Sequence, residues 1–192
     1  MVDKQRNQLR IIAGQWRGRQ ISFPDVDGLR PTANRVRETL FNWLQFEIMG
    51  KRCLDLFAGS GACGIEALSR GADSVVFVES NSSVAKAMED NLYKLKAEDY
   101  EIHIADALTW LRNSTLQDAA AFDLIFLDPP YSDNLENQCL EALLETKIVS
   151  PEALVYLETD KSPQDIQWPA QWQVSKRSRA GEVNYFLARR FA

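Results

Sequence analysis

From Arg52 to Leu157 the chain alternates short apolar runs with stretches of helical periodicity, and few folds accept that pattern. Cys53–Phe57, Val75–Glu79, Ile102–Ala105, Phe122–Leu127 and Ala153–Leu157 are strand-sized and read as buried strands. Between them Ile65 and Leu68, then Val84, Met88, Leu92 and Leu95, then Leu108 and Leu111, then Leu135 to Leu144 recur at helical spacing. Strands and helices in this order predict an α/β fold with a doubly wound, mainly parallel sheet. The tail differs, because Trp172–Arg177 and Glu182–Arg189 alternate in period two around Ala180-Gly181. That predicts a C-terminal antiparallel hairpin, which brings the sheet to seven strands. Ligands of such sheets lie beyond the carboxyl ends of the strands, at the switch point.

The first strand of this series runs into Asp55-Leu56-Phe57-Ala58-Gly59-Ser60-Gly61-Ala62-Cys63-Gly64. Gly59 and Gly61 permit a sharp turn and close approach to a ligand, and Gly64 lets the following helix pack on the sheet. Glu79 ends the second strand, where a carboxylate accepts the hydroxyls of a ribose; Asp106 ends the third, beside the expected adenine position. A dinucleotide-binding dehydrogenase has the same glycines and the same acid. Asp55 separates the two: it would repel a pyrophosphate but suits an ammonium, directly or through water.

Asp128-Pro129-Pro130-Tyr131 follows the fourth strand, next to the glycine loop in a doubly wound order. An exocyclic amino nitrogen on a nucleic-acid base is a poor nucleophile, because its lone pair is delocalised into the ring. With Asp128 and the Pro129 carbonyl accepting its two protons, the nitrogen becomes more tetrahedral and its lone pair turns toward an activated methyl. The prolines stiffen the loop and remove competing N–H donors, and Tyr131 offers a face for an unstacked base. The plainer reading, a strand broken by Pro-Pro with a packed tyrosine, leaves the acid unexplained. His103 lies within a predicted strand and is not needed as a base.

Charge is uneven along the chain. The net charge is -5, yet residues 1–37 hold Lys4, Arg6, Arg10, Arg17, Arg19, Arg30, Arg35 and Arg37 against Asp3, Asp25 and Asp27. An anionic partner gripped at one place accounts for this. Residues 9–24 read as two short strands around Gly14 to Gly18, and a helix starts at Pro31-Thr32 and carries Val36, Leu40, Trp43, Leu44 and Ile48 up to Gly50. Residues 1–37 are therefore expected to form a basic extension, and 38–192 the sheet domain. Cys53, Cys63 and Cys139 have neither disulfide nor metal-ligand spacing, so reduced cysteines and no metal are expected. No apolar run has the length of a membrane span and none follows the charged start, which predicts a cytoplasmic protein without membrane contact.

The glycine loop and the tetrad together resemble the class I amino-methyltransferases, which use S-adenosylmethionine. Arg10-Ile11-Ile12-Ala13-Gly14, Trp16-Arg17-Gly18-Arg19, Arg30-Pro31-Thr32 and Arg35-Val36-Arg37-Glu38-Thr39-Leu40-Phe41-Asn42 resemble the bacterial 16S ribosomal RNA (guanine(966)-N2)-methyltransferase family over essentially the whole chain. The resemblance implies methyl transfer to a guanine in 16S rRNA, in an assembling or assembled small subunit. It implies Asp128, Pro129, Pro130 and Tyr131 as catalytic, and Asp55, Gly59, Gly61, Gly64, Glu79 and Asp106 around the cofactor. Arg10, Trp16, Arg17, Arg19, Arg30, Thr32, Arg35 and Arg37 become the candidates for RNA contact, positioning the substrate through its phosphates. A DNA adenine-N6 enzyme, a dehydrogenase and a non-catalytic RNA-binding assembly factor are the competing expectations.

Overall fold

The structure is a computed structural model that describes residues 6–26, 29, 33–114, 121–130 and 134–191. Its elements, in chain order, are β1 (Arg6–Arg10), β2 (Gln20–Pro24), α1 (Asn34–Trp43), β3 (Arg52–Asp55), α2 (Ala62–Ser69), β4 (Ser74–Glu79) and α3 (Ser82–Leu95). They continue with β5 (Tyr100–Ile104), α4 (Ala107–Asn113), β6 (Phe122–Leu127), α5 (Leu135–Glu145), β7 (Val149–Thr159), β8 (Trp172–Ala180) and β9 (Val183–Arg190). The central sheet has seven strands in the order β5-β4-β3-β6-β7-β9-β8. Strands β3 to β7 pair in parallel, whereas β9 runs antiparallel to both β7 and β8. The order reverses between β3 and β6, so the crevice at the switch point opens between their carboxyl ends.

Alternate residues of the central strands feed the two faces. Cys53, Leu124, Phe126, Leu154 and Tyr156 pack with α1, α2 and the N-terminal segment, while Leu54, Ile125, Leu127, Val155 and Leu157 pack with α4 and α5. Burial on both faces explains why β4 and β6 read as continuous apolar runs rather than as alternating strands. The same alternation, carried one residue past the end of β6, places Asp55, Asp128 and Glu158 on the first face.

The N-terminal segment is a docked hairpin. β1 and β2 pair antiparallel, and Ile11, Trp16, Ile21 and Phe23 are buried. Glu66, fully buried on α2, accepts the Ile12 and Ala13 N–H groups at 2.8 and 3.0 Å and the Arg70 Nε at 2.7 Å. Ser69 Oγ accepts the Trp16 N–H and donates to the Ala13 carbonyl, and Asn91 on α3 exchanges two hydrogen bonds with the Ser22 backbone. The expected division after residue 37 falls inside α1, whose buried residues include both Val36 and Arg37. That helix ends at Trp43, and turns rather than helix carry Leu44 and Ile48 into the core. The expected start signal Pro31-Thr32 lies outside the described residues. No described helix is long and apolar enough to cross a membrane.

Candidate active site

Gly61 is the N-cap of α2 and sits in the left-handed region at φ 74°. A Cβ there would lie 2.7 Å from Met88 Sδ, and the left-handed turn itself favours glycine. At Gly64 a Cβ would come within 2.2 Å of the Phe77 ring, which is the close helix–strand approach expected from the sequence. Asp55 closes β3 and turns back under this helix, where its Oδ2 accepts the Gly64 N–H at 2.9 Å. It thereby satisfies a donor in the first turn of α2. Burial pushes the Asp55 carboxyl up to about 7; the Gly64 hydrogen bond opposes this and the Glu79 charge adds to it.

Glu79 ends β4 and grips the glycine loop from the side. Its two carboxylate oxygens accept the Gly59 N–H at 2.8 Å and the Asn81 N–H at 2.7 Å. Asp106 is exposed and caps α4, with Oδ1 accepting the Thr109 N–H at 2.8 Å. Hydrogen bonds from Thr109 hold its carboxyl below the usual range. Asp55, Glu79 and Asp106 thus stand at the ends of three adjacent strands. A ligand with a positive centre and hydroxyl donors fits these acceptors, and a pyrophosphate does not. S-adenosylmethionine has an ammonium, a sulfonium and a ribose diol, so the residues present fit it.

The tetrad meets the same crevice. The Leu56 N–H donates to the Phe126 carbonyl at 3.1 Å, which ties the start of the glycine loop to β6 two residues before Asp128. Asp128 is half-buried, Pro129 buried and Pro130 exposed; Tyr131 lies outside the described residues. Beyond the loop, Asn134 takes a left-handed conformation at φ 56°. Lys161 Nζ bonds Asn134 Oδ1 at 3.0 Å and Glu136 Oε2 at 2.8 Å, and Thr159 donates to Glu136 Oε1 at 2.7 Å. The far end of the tetrad loop is therefore fastened to the end of β7.

The RNA candidates separate into groups. Arg10, Arg17, Arg19 and Arg35 are exposed. Arg10 and Arg17 line a cleft of about 340 Å³ with Asn34 and Glu38, and Arg19 Nη2 donates to the Lys94 carbonyl at 2.6 Å. Arg37 departs from the expected role. It is fully buried, donates to the Arg10 carbonyl at 2.9 Å and to Asn34 Oδ1 at 2.7 Å, and stands 3.9 Å from Glu66. Trp16, 7% exposed, is likewise a core residue. Both side chains lie inside the fold, Arg37 bonded to the Arg10 carbonyl and Asn34 and Trp16 packed in the apolar core. Arg30 and Thr32 lie outside the described residues.

Residues 9–189 match the family described as conserved hypothetical protein 95. The chain belongs to that family. A relative in Haemophilus influenzae, named ribosomal RNA small subunit methyltransferase D, is 44% identical over 184 residues, covering 95% of this chain and 94% of its own. A solved structure described as a putative methyltransferase from Escherichia coli is 40% identical, with a TM-score of 0.87 over 97% of this chain and 99% of that one. A putative SAM-dependent methyltransferase from Streptococcus mutans, at 15% identity and a TM-score of 0.75 over 96% of this chain and 55% of that one, shares the fold.

In this member of the conserved hypothetical protein 95 family some functional candidates carry no sequence signal. Glu158 is 5% exposed and accepts the Tyr156 hydroxyl at 2.9 Å; it is the last residue but one of β7, with nothing but its charge to mark it. Lys161 falls in the poorly patterned stretch 160–170, where only a position after an apolar strand could have drawn attention to it. Cys53, Cys63 and Cys139 are buried. His103 is half-buried, 3.4 Å from Glu101 and in ring contact with Trp110. Among the described residues no group of three or more His, Cys, Asp or Glu side chains could hold a metal ion.

Proposed function

We propose that this protein transfers a methyl group from S-adenosylmethionine to the exocyclic N2 of a guanine in 16S ribosomal RNA, that at position 966, within the small subunit. The observation that carries the reading is the placement of Asp128 and Pro129 beside the Asp55–Gly61 loop, across paired strands. S-adenosylmethionine, when bound, supplies a methyl already activated on a positively charged sulfur. Asp55 and Glu79 bind its ammonium and ribose ends, and the glycine loop gives it room. Asp128 and the Pro129 carbonyl accept the two amino hydrogens and hold the nitrogen lone pair out of the base plane. As the nitrogen gains carbon it must lose one proton, for which Asp128 is the acceptor at hand. Most of the rate then comes from orientation rather than from acid–base chemistry.

The name of the Haemophilus influenzae relative supports ribosomal RNA as the substrate. The exposed Arg10 and Arg17 lining the cleft, with Arg35 exposed on α1, supply a surface for phosphates. A guanine in an RNA loop is partly unstacked, which lowers the cost of presenting its amino group. The test offers labelled S-adenosylmethionine with naked 16S RNA, small subunits and duplex DNA in parallel. Label in the 16S RNA of at least one ribosomal sample supports the reading; label in DNA alone, or none with folded protein, overturns it.

A further inference from the structure

The row of carboxylates on one face of the sheet extends past Asp128. Strands β6 and β7 pair in parallel with Leu127 opposite Leu157, and carrying that register one residue further sets Asp128 beside Glu158. Parallel strands lie roughly 4.8 Å apart. Glu158 follows Tyr156, which packs on the same face as Phe126 and the first turn of α2. It is buried and receives the Tyr156 hydroxyl at 2.9 Å. Burial, then the charge of Glu158, push the Tyr156 phenol far up, and Asp128 adds to the effect. The phenol therefore stays protonated and holds the carboxylate in place. An ionised carboxylate accepts at both oxygens, with about four acceptor positions in all.

Guanine differs from adenine and from 2-aminopurine at the atom next to its methylated amino group. Its N1 carries a hydrogen, whereas N1 of the other two is an acceptor. We infer that Glu158 is a specificity-determining residue: its carboxylate accepts the N1–H of the target guanine while Asp128 and Pro129 hold the N2 amino group. A base with an acceptor at N1 would face a buried carboxylate with no proton between them. Sites built to pair a polar group reject analogues that lack it far more strongly than apolar pockets reject a misfit. This inference rests on the guanine-N2 reading above.

The experiment compares kcat/KM for reconstituted small subunits whose 16S RNA carries either guanine or 2-aminopurine at the target position. Both bases present an N2 amino group. Wild-type protein is expected to favour guanine by about 10²-fold or more. Glu158→Gln, whose amide can donate to an acceptor at N1, is expected to shrink that ratio to about tenfold or to invert it. Taking the wild-type and variant ratios together cancels the intrinsic reactivity of the two bases. Equal losses on both substrates, with the ratio unchanged, would overturn the inference and leave Glu158 a structural acid. A wild-type ratio near one would overturn it whether or not the variant folds. No N2-methylguanine from wild-type protein on the guanine substrate would instead overturn the underlying reading.

Discussion

At the carboxyl edge of the sheet, Asp55, Glu79 and Asp106 each accept a backbone N–H close to the start of the helix that follows. In the N-terminal hairpin and α1, arginines from one short stretch of sequence divide between interior and surface, with Arg37 fully buried and Arg35 exposed two residues away. The acids are placed by local chain geometry, a strand end followed by a turn into a helix. The arginines are sorted by what α2 brings to them, above all the buried Glu66. Charge alone therefore predicts position at one region and fails at the other.

The largest effect should come from Arg37. Arg37→Ala leaves Glu66 with less compensation inside the protein, and a loss of about 3–5 kcal/mol is expected in denaturant unfolding. Arg35→Ala should change stability by about 0.5 kcal/mol or less. Equal effects at the two positions would erase the distinction between brace and surface. At the opposite edge, Asp128→Ala should lower turnover by about two to three powers of ten while leaving S-adenosylmethionine affinity unchanged in a calorimetric titration. A parallel loss of affinity would move Asp128 from the reacting nitrogen to the cofactor.

Asp55 should show a pH dependence that none of the surface arginines shares. Its carboxyl stands at about 7 in the folded protein against an ordinary 3.8, so the folded state holds the extra proton between those values. Stability contributed at this site therefore falls as pH rises through the window and levels off above it. Asp55→Asn should raise the melting temperature by about a few degrees at pH 8 and by progressively less as pH falls toward 4. Cofactor affinity should move the other way. A cationic ligand favours the ionised carboxylate, so wild-type affinity should fall by about tenfold per pH unit below 7, and the Asn variant should lose that slope. The smallest effect belongs to the exposed arginines. Charge reversal at Arg10 and Arg17 should weaken RNA binding and flatten its salt dependence, by about 0.7 in slope for each phosphate no longer neutralised.

Much of the edge was legible in the sequence because its signals are local. Gly61 and Gly64 stand where a turn and a helix contact demand them, and the apolar runs from Cys53 to Leu157 mark strands that the sheet buries on both faces. The C-terminal hairpin was legible for the same reason, with β8 running to Ala180 beyond its expected end at Arg177 and β9 offset by one residue from its expected span. What could not be read depended on distant partners. Trp16 and Arg37 read as RNA-contacting candidates, yet far along the chain Ser69 accepts the Trp16 backbone N–H and Glu66 stands beside the buried Arg37 guanidinium. Glu158 becomes a candidate only when strand register sets it beside Asp128. The division expected after residue 37 falls within α1, which buries Val36 and Arg37 before it and Leu40 and Phe41 after it.

The most direct measurement is nucleoside analysis of 16S RNA after reaction with wild-type protein and with Asp128→Ala, normalised to bound cofactor. N2-methylguanosine from the wild type, reduced by about two to three powers of ten in rate with the variant at equal cofactor occupancy, is the predicted result. N6-methyladenosine, a base methylated on ring carbon, or N2-methylguanosine formed equally fast by the variant would contradict amino-nitrogen chemistry at Asp128.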